Sequence, residues 1–256
     1  MTAESNSGRR IYLDNAATTW PKCSQAVHEA ERFIRDCGAT AGRGTYGSAL
    51  VAERWLEQAR HNLSQLIGAA NGTSIAICNS GTHALNVALW GLLRSGDHVI
   101  TTSMEHNSVL RPLKHLQRDF GIELSVVDCD AQGFADAEHA RPLLKKNTKL
   151  IALGHASNVT GRLQDVASWS RLAKQAQVRL LLDASQTLGY LPIDVQRDGI
   201  DVLAAAAHKG LRALPGTGML YVAPEQQHDL RPLMFGGTGR SSEQLTAGQD
   251  WPQCVE

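Results

Sequence analysis

Two side chains that could do chemistry together, Asp183 and Lys209, each follow a run of apolar residues. Asp183 ends RLLLD, and Lys209 follows DVLAAAA within AHKG. A lysine directly after a long apolar run is poorly placed for a solvated charge, but it suits an amine that loses its proton and condenses with an aldehyde. A carboxylate at a strand end can hold the protonated nitrogen of a pyridine ring, or it can cap a helix. One strand and one connection separate Asp183 from Lys209, so the two side chains would contact opposite ends of one bound ring.

Polar residues follow the other apolar runs in the same way. Gly81 and Thr82 come after SIAIC, where free backbone N–H groups at a helix start can bind phosphate, although an ordinary helix cap has the same pattern. His106 in MEHNS could stack on a flat ring or transfer a proton, or it could be a solvated loop histidine. Asn158 could donate its amide to a cofactor hydroxyl or form a turn. Gln186 closes DASQ.

The elements that would position these residues alternate from residue 74 onward. Short apolar runs such as SIAIC, HVITT, KLIALG and RLLLD are separated by longer amphipathic stretches. This alternation predicts an α/β fold with a mostly parallel sheet covered by helices on both faces. Ligands of such sheets bind beyond the carboxyl ends of the strands, which is where the polar residues lie.

The first part of the chain predicts two helices joined by the glycine-rich loop GATAGRGTYGS. They cover residues 24–37 and 49–67. We expect an N-terminal arm (residues 1–20), a large domain (21–240) and the start of a C-terminal segment (241–256). The apolar face of the second helix is predicted from five residues at helical spacing: Val51, Trp55, Leu56, Leu63 and Leu66.

Composition excludes several classes of protein. The 256 residues contain 25 basic and 25 acidic side chains, so no net charge favours nucleic acid or anionic lipid. No apolar segment follows the two arginines near the N-terminus, so we expect a cytoplasmic protein without signal peptide or membrane anchor. The five cysteines lack C-x-x-C spacing, which argues against a disulfide framework and against a zinc site.

Six motifs carry a resemblance to a known family. YLDNAATT, NSGTHALN, MEHNS, SNVTG, DASQ and AHKG occur in the order seen in class V aminotransferase-like enzymes, particularly the cysteine desulfurases. The resemblance extends from Tyr12 to about Arg240 and includes FGGTGR near the end. It implies the large domain of the fold-type-I transferases that depend on pyridoxal 5'-phosphate, here without the small C-terminal domain.

The resemblance implies a role for each candidate residue around that cofactor. Lys209 would be the Schiff-base lysine and a catalytic proton carrier, Asp183 would pair with the pyridine nitrogen, and His106 would stack on the ring as a second catalytic residue. Asn158 and Gln186 would approach the phenolic oxygen of the cofactor. Three residues would bind its phosphate: Gly81, Thr82 and His208. Asn15 and Ala16 would line the substrate side.

Two features depart from the family pattern. Family members often carry a serine two residues before the His-Lys pair, as a phosphate ligand, whereas this chain has Ala206. A lost hydrogen bond to phosphate costs about 1.5–3 kcal/mol if nothing replaces it. The sequence also stops at residue 256, before the region that brings the nucleophilic cysteine of desulfurases and the arginine for the substrate carboxylate. None of its own cysteines matches that nucleophile.

The function expected from the resemblance is that of a cysteine desulfurase, here a truncated chain. Such an enzyme converts L-cysteine to L-alanine and passes a persulfide to an acceptor protein, and the intact protein would be a homodimer. The alternatives are a class V aminotransferase, lyase or epimerase acting on another small amino acid, and a catalytically silent fragment that still binds the cofactor. A nucleotide-binding domain is disfavoured because neither G-x-G-x-x-G nor a P-loop motif occurs.

Overall fold

A computed structural model describes residues 11–42, 44–234, 251–252 and 255. Within these residues the backbone forms one seven-stranded sheet in the order β1-β7-β6-β5-β4-β2-β3. The strands are β1 (Ile75–Cys78), β2 (His98–Thr102), β3 (Glu123–Val127), β4 (Thr148–Gly154), β5 (Arg179–Asp183), β6 (Val202–Ala206) and β7 (Gly218–Val222).

Strands β2 to β6 pair in parallel, while β7 lies antiparallel between β1 and β6. The reversal follows from the connection between β6 and β7. It contains no helix, and a parallel pair would require a long crossover. The predicted mostly parallel sheet is therefore confirmed. Because β7 runs the other way, its first residue, Gly218, lies at the edge where the parallel strands end.

Helices cover both faces of the sheet, as predicted. Side chains of α6 and alternate strand residues such as Leu180 and Leu182 form one apolar core. Side chains of α3 and α4 form the other core with the intervening residues, such as Leu181. The helices are α1 (Ser24–Asp36), α2 (Gly47–Leu66), α3 (Gly81–Leu92), α4 (Asn107–Phe120), α5 (Ala137–Ala140), α6 (Val166–Ala176) and α7 (Val195–Asp198). Short 3-10 turns cover Gly72–Ser74, Arg141–Leu143 and Pro224–Asp229.

The two early helices lie close to their predicted ranges, but their burial differs from the prediction. Helix α1 has no buried residue. On α2 the fully buried positions are Ala49, Ala52 and Ser64, whereas Leu66 of the predicted apolar face is 47% exposed. The predicted face is thus wrong at Leu66, whereas Val51, Trp55, Leu56 and Leu63 are partly buried and Leu63 packs against the core. The most buried positions within α2 carry small side chains, which let the helix backbone approach its neighbours.

None of the described cysteines forms a disulfide with another described cysteine. Cys23 and Cys37 flank α1 as its end residues, Cys78 is buried in β1, and Cys129 lies after β3. No cluster of three potential metal ligands occurs within the described ranges. No helix there is long and apolar enough to cross a bilayer. Cys254 and the motif FGGTGR (235–240) lie outside the described residues, and the predicted boundary at residue 240 stays a prediction.

Candidate active site

A cavity of about 370 Å³ lies where the parallel strands end. Its walls come from the turns that follow β1, β2, β4, β5 and β6, together with the N-terminal arm. Asn15 does not line it; its Oδ1 accepts a hydrogen bond from the Trp20 amide at 3.2 Å. All the other candidate residues from the sequence line this one cavity: Ala16, Gly81, Thr82, His106, Asn158, Asp183, Gln186, His208 and Lys209.

Lys209 is held by its backbone, while its amine has no partner among the residues that the structure describes. The Lys209 carbonyl accepts hydrogen bonds from Thr19 Oγ1 at 2.7 Å and from the Arg212 amide at 2.8 Å. Among the described residues, no hydrogen bond or ion pair involves Lys209 Nζ. Burial lowers the pKa of the amine, and the charge of Asp183 opposes that shift only in part. The amine is therefore easier to deprotonate than a surface lysine.

Asp183 ends β5 and is 8% exposed. One carboxylate oxygen, Oδ1, accepts a hydrogen bond from the Ser185 amide at 2.9 Å, and within the described ranges Oδ2 has no partner. The residues after β5 form a turn rather than a helix, so Asp183 is not a helix cap. One oxygen of a buried carboxylate thus stays open to a ligand in the cavity.

Glu105, which the sequence reasoning missed, is a second acid behind the same wall. Its Oε1 accepts hydrogen bonds from Thr102 Oγ1 at 2.7 Å and from the Gly154 amide at 2.9 Å, while Oε2 is buried without a partner. Burial raises the pKa of Glu105 to about 8, and the charge of Asp183 adds to the effect. Glu105 is therefore neutral at pH 7. Its position three residues after the end of β2 was the available signal.

Helix α3 presents its first amides to the cavity. Ser80 caps the helix, because its Oγ accepts a hydrogen bond from the His83 amide at 3.0 Å. The amides of Gly81 and Thr82 have no acceptor among the described residues, and both residues line the cavity. The helix cap thus lies on Ser80, and the amides of the next two residues remain available to an anion, so anion binding there stays a prediction.

Two glycines let the start of α3 approach its neighbours. A Cβ on Gly218 would lie 2.4 Å from the carbonyl carbon of Ser80, which is backbone and cannot move aside easily. A Cβ on Gly81 would lie 2.8 Å from Ser185 Oγ and 3.0 Å from the Ala206 amide nitrogen. The helix start, the turn after β5 and the end of β6 therefore meet at one point of the cavity wall.

Thr18 of the N-terminal arm and Lys22, two residues beyond the arm, hold His208 through a short chain of hydrogen bonds. Lys22 Nζ donates to Thr18 Oγ1 at 2.7 Å and to the His208 carbonyl at 2.8 Å. Thr18 Oγ1 is 2.9 Å from His208 Nδ1. Burial lowers the pKa of His208, and the charges of Lys209 and Lys22 lower it further, so the imidazole is neutral at pH 7. Nothing in the sequence pattern singled out Lys22 or Thr18.

The other candidate side chains are fixed to different degrees. His106 is the N-cap of α4, and its Nδ1 accepts a hydrogen bond from the Ser108 amide at 3.1 Å. Gln186 Nε2 donates to the Ala16 carbonyl at 3.0 Å, which joins the arm to the turn after β5. Asn158 is exposed in the loop after β4. His106 is thus oriented by its own helix, whereas Gln186 is oriented by the arm.

A larger groove of about 720 Å³ lies at the opposite edge of the sheet, where the parallel strands begin. Both signs of charge line it, including Arg94, Lys149, Arg179, Asp201 and Asp229. None of the candidate residues from the sequence lies there. The volume of a cavity alone therefore does not identify the place where the candidate residues meet.

The sequence profile of the class V aminotransferases matches residues 11–254. The chain belongs to this family. That match covers the described strands and every wall of the smaller cavity, so the family assignment and the geometry concern the same part of the molecule. The expectation drawn from the six motifs is confirmed at this level.

Similar proteins place this member of the class V aminotransferase family near the cysteine desulfurases. It is 34% identical over 228 residues to a probable cysteine desulfurase of Methanothermobacter thermautotrophicus, covering 89% of this chain and 56% of that protein. A probable cysteine desulfurase of Synechocystis is 33% identical over 241 residues, covering 93% of this chain and 57% of that protein. The chain thus spans little more than half the length of these two relatives.

Solved structures of similar fold also include cysteine desulfurases. An apo cysteine desulfurase from Thermococcus onnurineus superposes with a TM-score of 0.83 at 29% identity, covering 89% of this chain and 57% of that one. A structure described as SspA in complex with cysteine gives a TM-score of 0.83 at 27% identity, covering 96% of this chain and 70% of that one. The expected fold-type-I large domain is confirmed by these neighbours.

Proposed function

We propose that this chain binds pyridoxal 5'-phosphate in the smaller cavity through Lys209 and acts as a cysteine desulfurase. Class V aminotransferases and cysteine desulfurases depend on this cofactor. The observation that carries the proposal is the unpaired, half-buried amine of Lys209 in the same cavity as the open carboxylate oxygen of Asp183. An amine and an acid in these states suit the two ends of a phosphorylated pyridine aldehyde.

The residues of the cavity fit such a group. A phosphate needs several donors, and the start of α3 offers two free amides beside the neutral imidazole of His208. Gly81 also lets the start of α3 pack closely against Ser185 and Ala206, because a Cβ there would meet both residues. The cavity volume of about 370 Å³ suits a ring with a phosphate.

Each residue has a distinct task in the proposal. Pyridoxal phosphate, when bound, supplies the aldehyde and an electron-withdrawing ring. Lys209 would hold the cofactor at its aldehyde and would also carry the proton of the substrate α-carbon. Asp183 would hold the pyridine nitrogen, and His106, oriented through Ser108, would contact the ring. Gln186 and Asn158 would bind the phenolic oxygen, while Ala16 would line the substrate side.

L-cysteine is the proposed substrate, with alanine and a persulfide as products. Support comes from the cysteine desulfurases among the similar proteins. Sulfur transfer needs a thiolate near the substrate sulfur, yet none of the described cysteines lines the cavity. A class V aminotransferase or lyase on another small amino acid, or a silent cofactor-binding chain, would share the same cavity.

A visible absorption spectrum with sodium borohydride reduction tests the cofactor site. Added pyridoxal phosphate should give a new visible absorption band when the cofactor joins an amine, and borohydride should fix the cofactor to Lys209, as read by peptide mass spectrometry. Lys209→Ala should lose both signals. Lys149→Ala, at the opposite edge of the sheet, is the matched control and should keep them. A covalent adduct on another lysine would overturn the assignment.

Product analysis then tests the reaction. Alanine released from L-cysteine supports desulfuration, while release of a keto acid, or turnover of another amino acid only, supports the other class V chemistries. Cofactor binding without turnover of any amino acid supports the silent chain and contradicts the proposed activity.

We also propose a sulfur-acceptor protein as partner, a homodimer and a cytoplasmic location. Sedimentation equilibrium tests the dimer, and persulfide transfer to an added acceptor thiol tests the partner.

A further inference from the structure

We infer that Ser185 is a phosphate ligand of the cofactor and supplies the hydroxyl that Ala206 lacks. The inference rests on the proposed function and names one more binding residue of the same cavity. Family resemblance places a serine at position 206 as phosphate ligand, so the alanine there leaves the phosphate one donor short. The turn after β5 brings another hydroxyl to the same point of the wall.

Ser185 is held firmly and keeps one hydrogen to give. It is 9% exposed, and its amide donates to Asp183 Oδ1 at 2.9 Å. Its Oγ accepts a hydrogen bond from the Ala206 amide at 3.2 Å. Among the described residues, nothing accepts the hydroxyl hydrogen of Ser185. A buried hydroxyl donor without an acceptor is uncommon in folded proteins and fits a ligand acceptor in the cavity.

The position of this hydroxyl matches the phosphate cradle. Ser185 Oγ lies only 2.8 Å from where a Cβ on Gly81 would stand, and the Ala206 Cβ lies 3.1 Å from the same point. Side chains at 185 and 206 therefore converge on the first residue of α3, whose amide is free. A hydroxyl from either position would reach an anion bound to that amide.

A purely structural role makes a different prediction. If Ser185 served only to accept the Ala206 amide, its loss would weaken folding and would affect all ligands of the cavity alike. If it binds phosphate, its loss must weaken pyridoxal phosphate selectively and leave pyridoxal, which lacks the phosphate, unchanged.

Absorbance titration of the 256-residue chain with pyridoxal phosphate and with pyridoxal separates the two roles. Ser185→Ala should bind pyridoxal phosphate about 10- to 100-fold more weakly and pyridoxal equally well, because one charge-assisted hydrogen bond is lost. Ser170→Ala, a buried serine on α6 with a long 3.4 Å bond to the Gly199 carbonyl, is the matched control and should change neither affinity. If Ser185→Ala does not fold, Ser185→Cys, nearly the same size and a weak donor, replaces it.

The variant Ala206→Ser provides a rescue. In the Ser185→Ala background it should restore most of the affinity for pyridoxal phosphate, while in the unchanged chain it should add little. Equal losses for both ligands, or no rescue, would overturn the inference while Lys209 still forms its adduct. If Lys209 forms no adduct in the unchanged chain, the proposed function itself fails, and the two failures are therefore distinguishable.

Discussion

The two edges of the sheet carry similar kinds of side chains but satisfy them differently. At the edge where the strands begin, Arg179 contacts Asp229 and Gln226, and Asp201 accepts the Leu180 amide at 2.8 Å. At the edge where they end, no described residue pairs with the amine of Lys209, and the turns around it leave further polar atoms open. Unsatisfied polar groups, rather than cavity size, therefore distinguish a ligand site from a structural charge cluster.

The comparison also concerns stability. Groups held ready for a ligand lower the free energy of unfolding of the ligand-free chain, whereas groups paired with one another raise it. Removal of an unpaired polar group at the cavity should therefore raise stability, whereas removal of a paired one at the opposite edge should lower it. Three substitutions test this difference in sign, and Gly218→Ala tests the close packing of the cavity wall.

Glu105→Gln should have the largest effect, and it should depend on pH. The folded-state pKa of about 8 lies above the ordinary value of 4.5, so the folded chain keeps a proton that the unfolded chain loses. The free energy of unfolding of the natural chain should thus fall as pH rises from about 4.5 to 8. Each unit of pKa difference corresponds to about 1.4 kcal/mol.

The amide that replaces the carboxyl group of Glu105 cannot ionise, so the free energy of unfolding of the variant should not fall with rising pH. At about pH 9 it should exceed that of the natural chain by several kcal/mol. Urea unfolding from about pH 5 to 9 measures this difference. Glu57→Gln, on the exposed side of α2, serves as control. Parallel stability curves for Glu105→Gln and the natural chain would show that Glu105 is ionised in the fold.

Gly218→Ala should destabilise the fold by about 1–3 kcal/mol, because the new Cβ meets the backbone of Ser80. It should also weaken pyridoxal phosphate binding, since the start of α3 must shift. Gly47→Ala is the matched control: a Cβ there has no neighbour within 4 Å, and it lies in the first turn of a helix. Unchanged thermal unfolding of Gly218→Ala would contradict this close packing.

Lys209→Met should stabilise the ligand-free chain by about 0.5–2 kcal/mol at pH 7, while abolishing the covalent adduct. Burial lowers the pKa of Lys209, so the folded state penalises the protonated amine. The penalty is fully present below the folded pKa and disappears as pH rises to the unfolded value. The gain should therefore shrink toward about pH 10.4. Guanidinium unfolding at about pH 7 and pH 10 measures both values, and a loss of stability at pH 7 would refute the comparison.

Arg179→Met should have the smallest effect and the opposite sign, a loss of about 1 kcal/mol. Asp229 is 41% exposed, and solvent reduces the contribution of such a pair. Cofactor binding should not change. The measurement is the same unfolding series, in about 0.1 and 1 M salt, where the loss should be smaller at high salt. A stabilising Arg179→Met would remove the distinction between the two edges.

The alternation of apolar runs with amphipathic stretches was enough to predict the sheet, its double cover and the edge that holds the site, because strand burial and ligand position depend on local pattern and general topology. The α2 face was harder to predict. Helical spacing identified large apolar residues, but small residues made the close contact. Burial of a side chain on α2 depends on which element packs against the helix, and the spacing of apolar residues does not indicate that element.

The order of residues along the chain was sufficient to identify the polar residues that follow the strands. Because every parallel strand ends at the same edge, it also placed Asp183 and Lys209 at one cavity. Which atoms there lack partners became visible from the folded structure. The buried acid of Glu105, the bonds from the arm to His208 and the meeting of Ser185 with Gly81 each join residues far apart in the chain. Hydrogen bonding and desolvation depend on these through-space neighbours, which no local pattern contains.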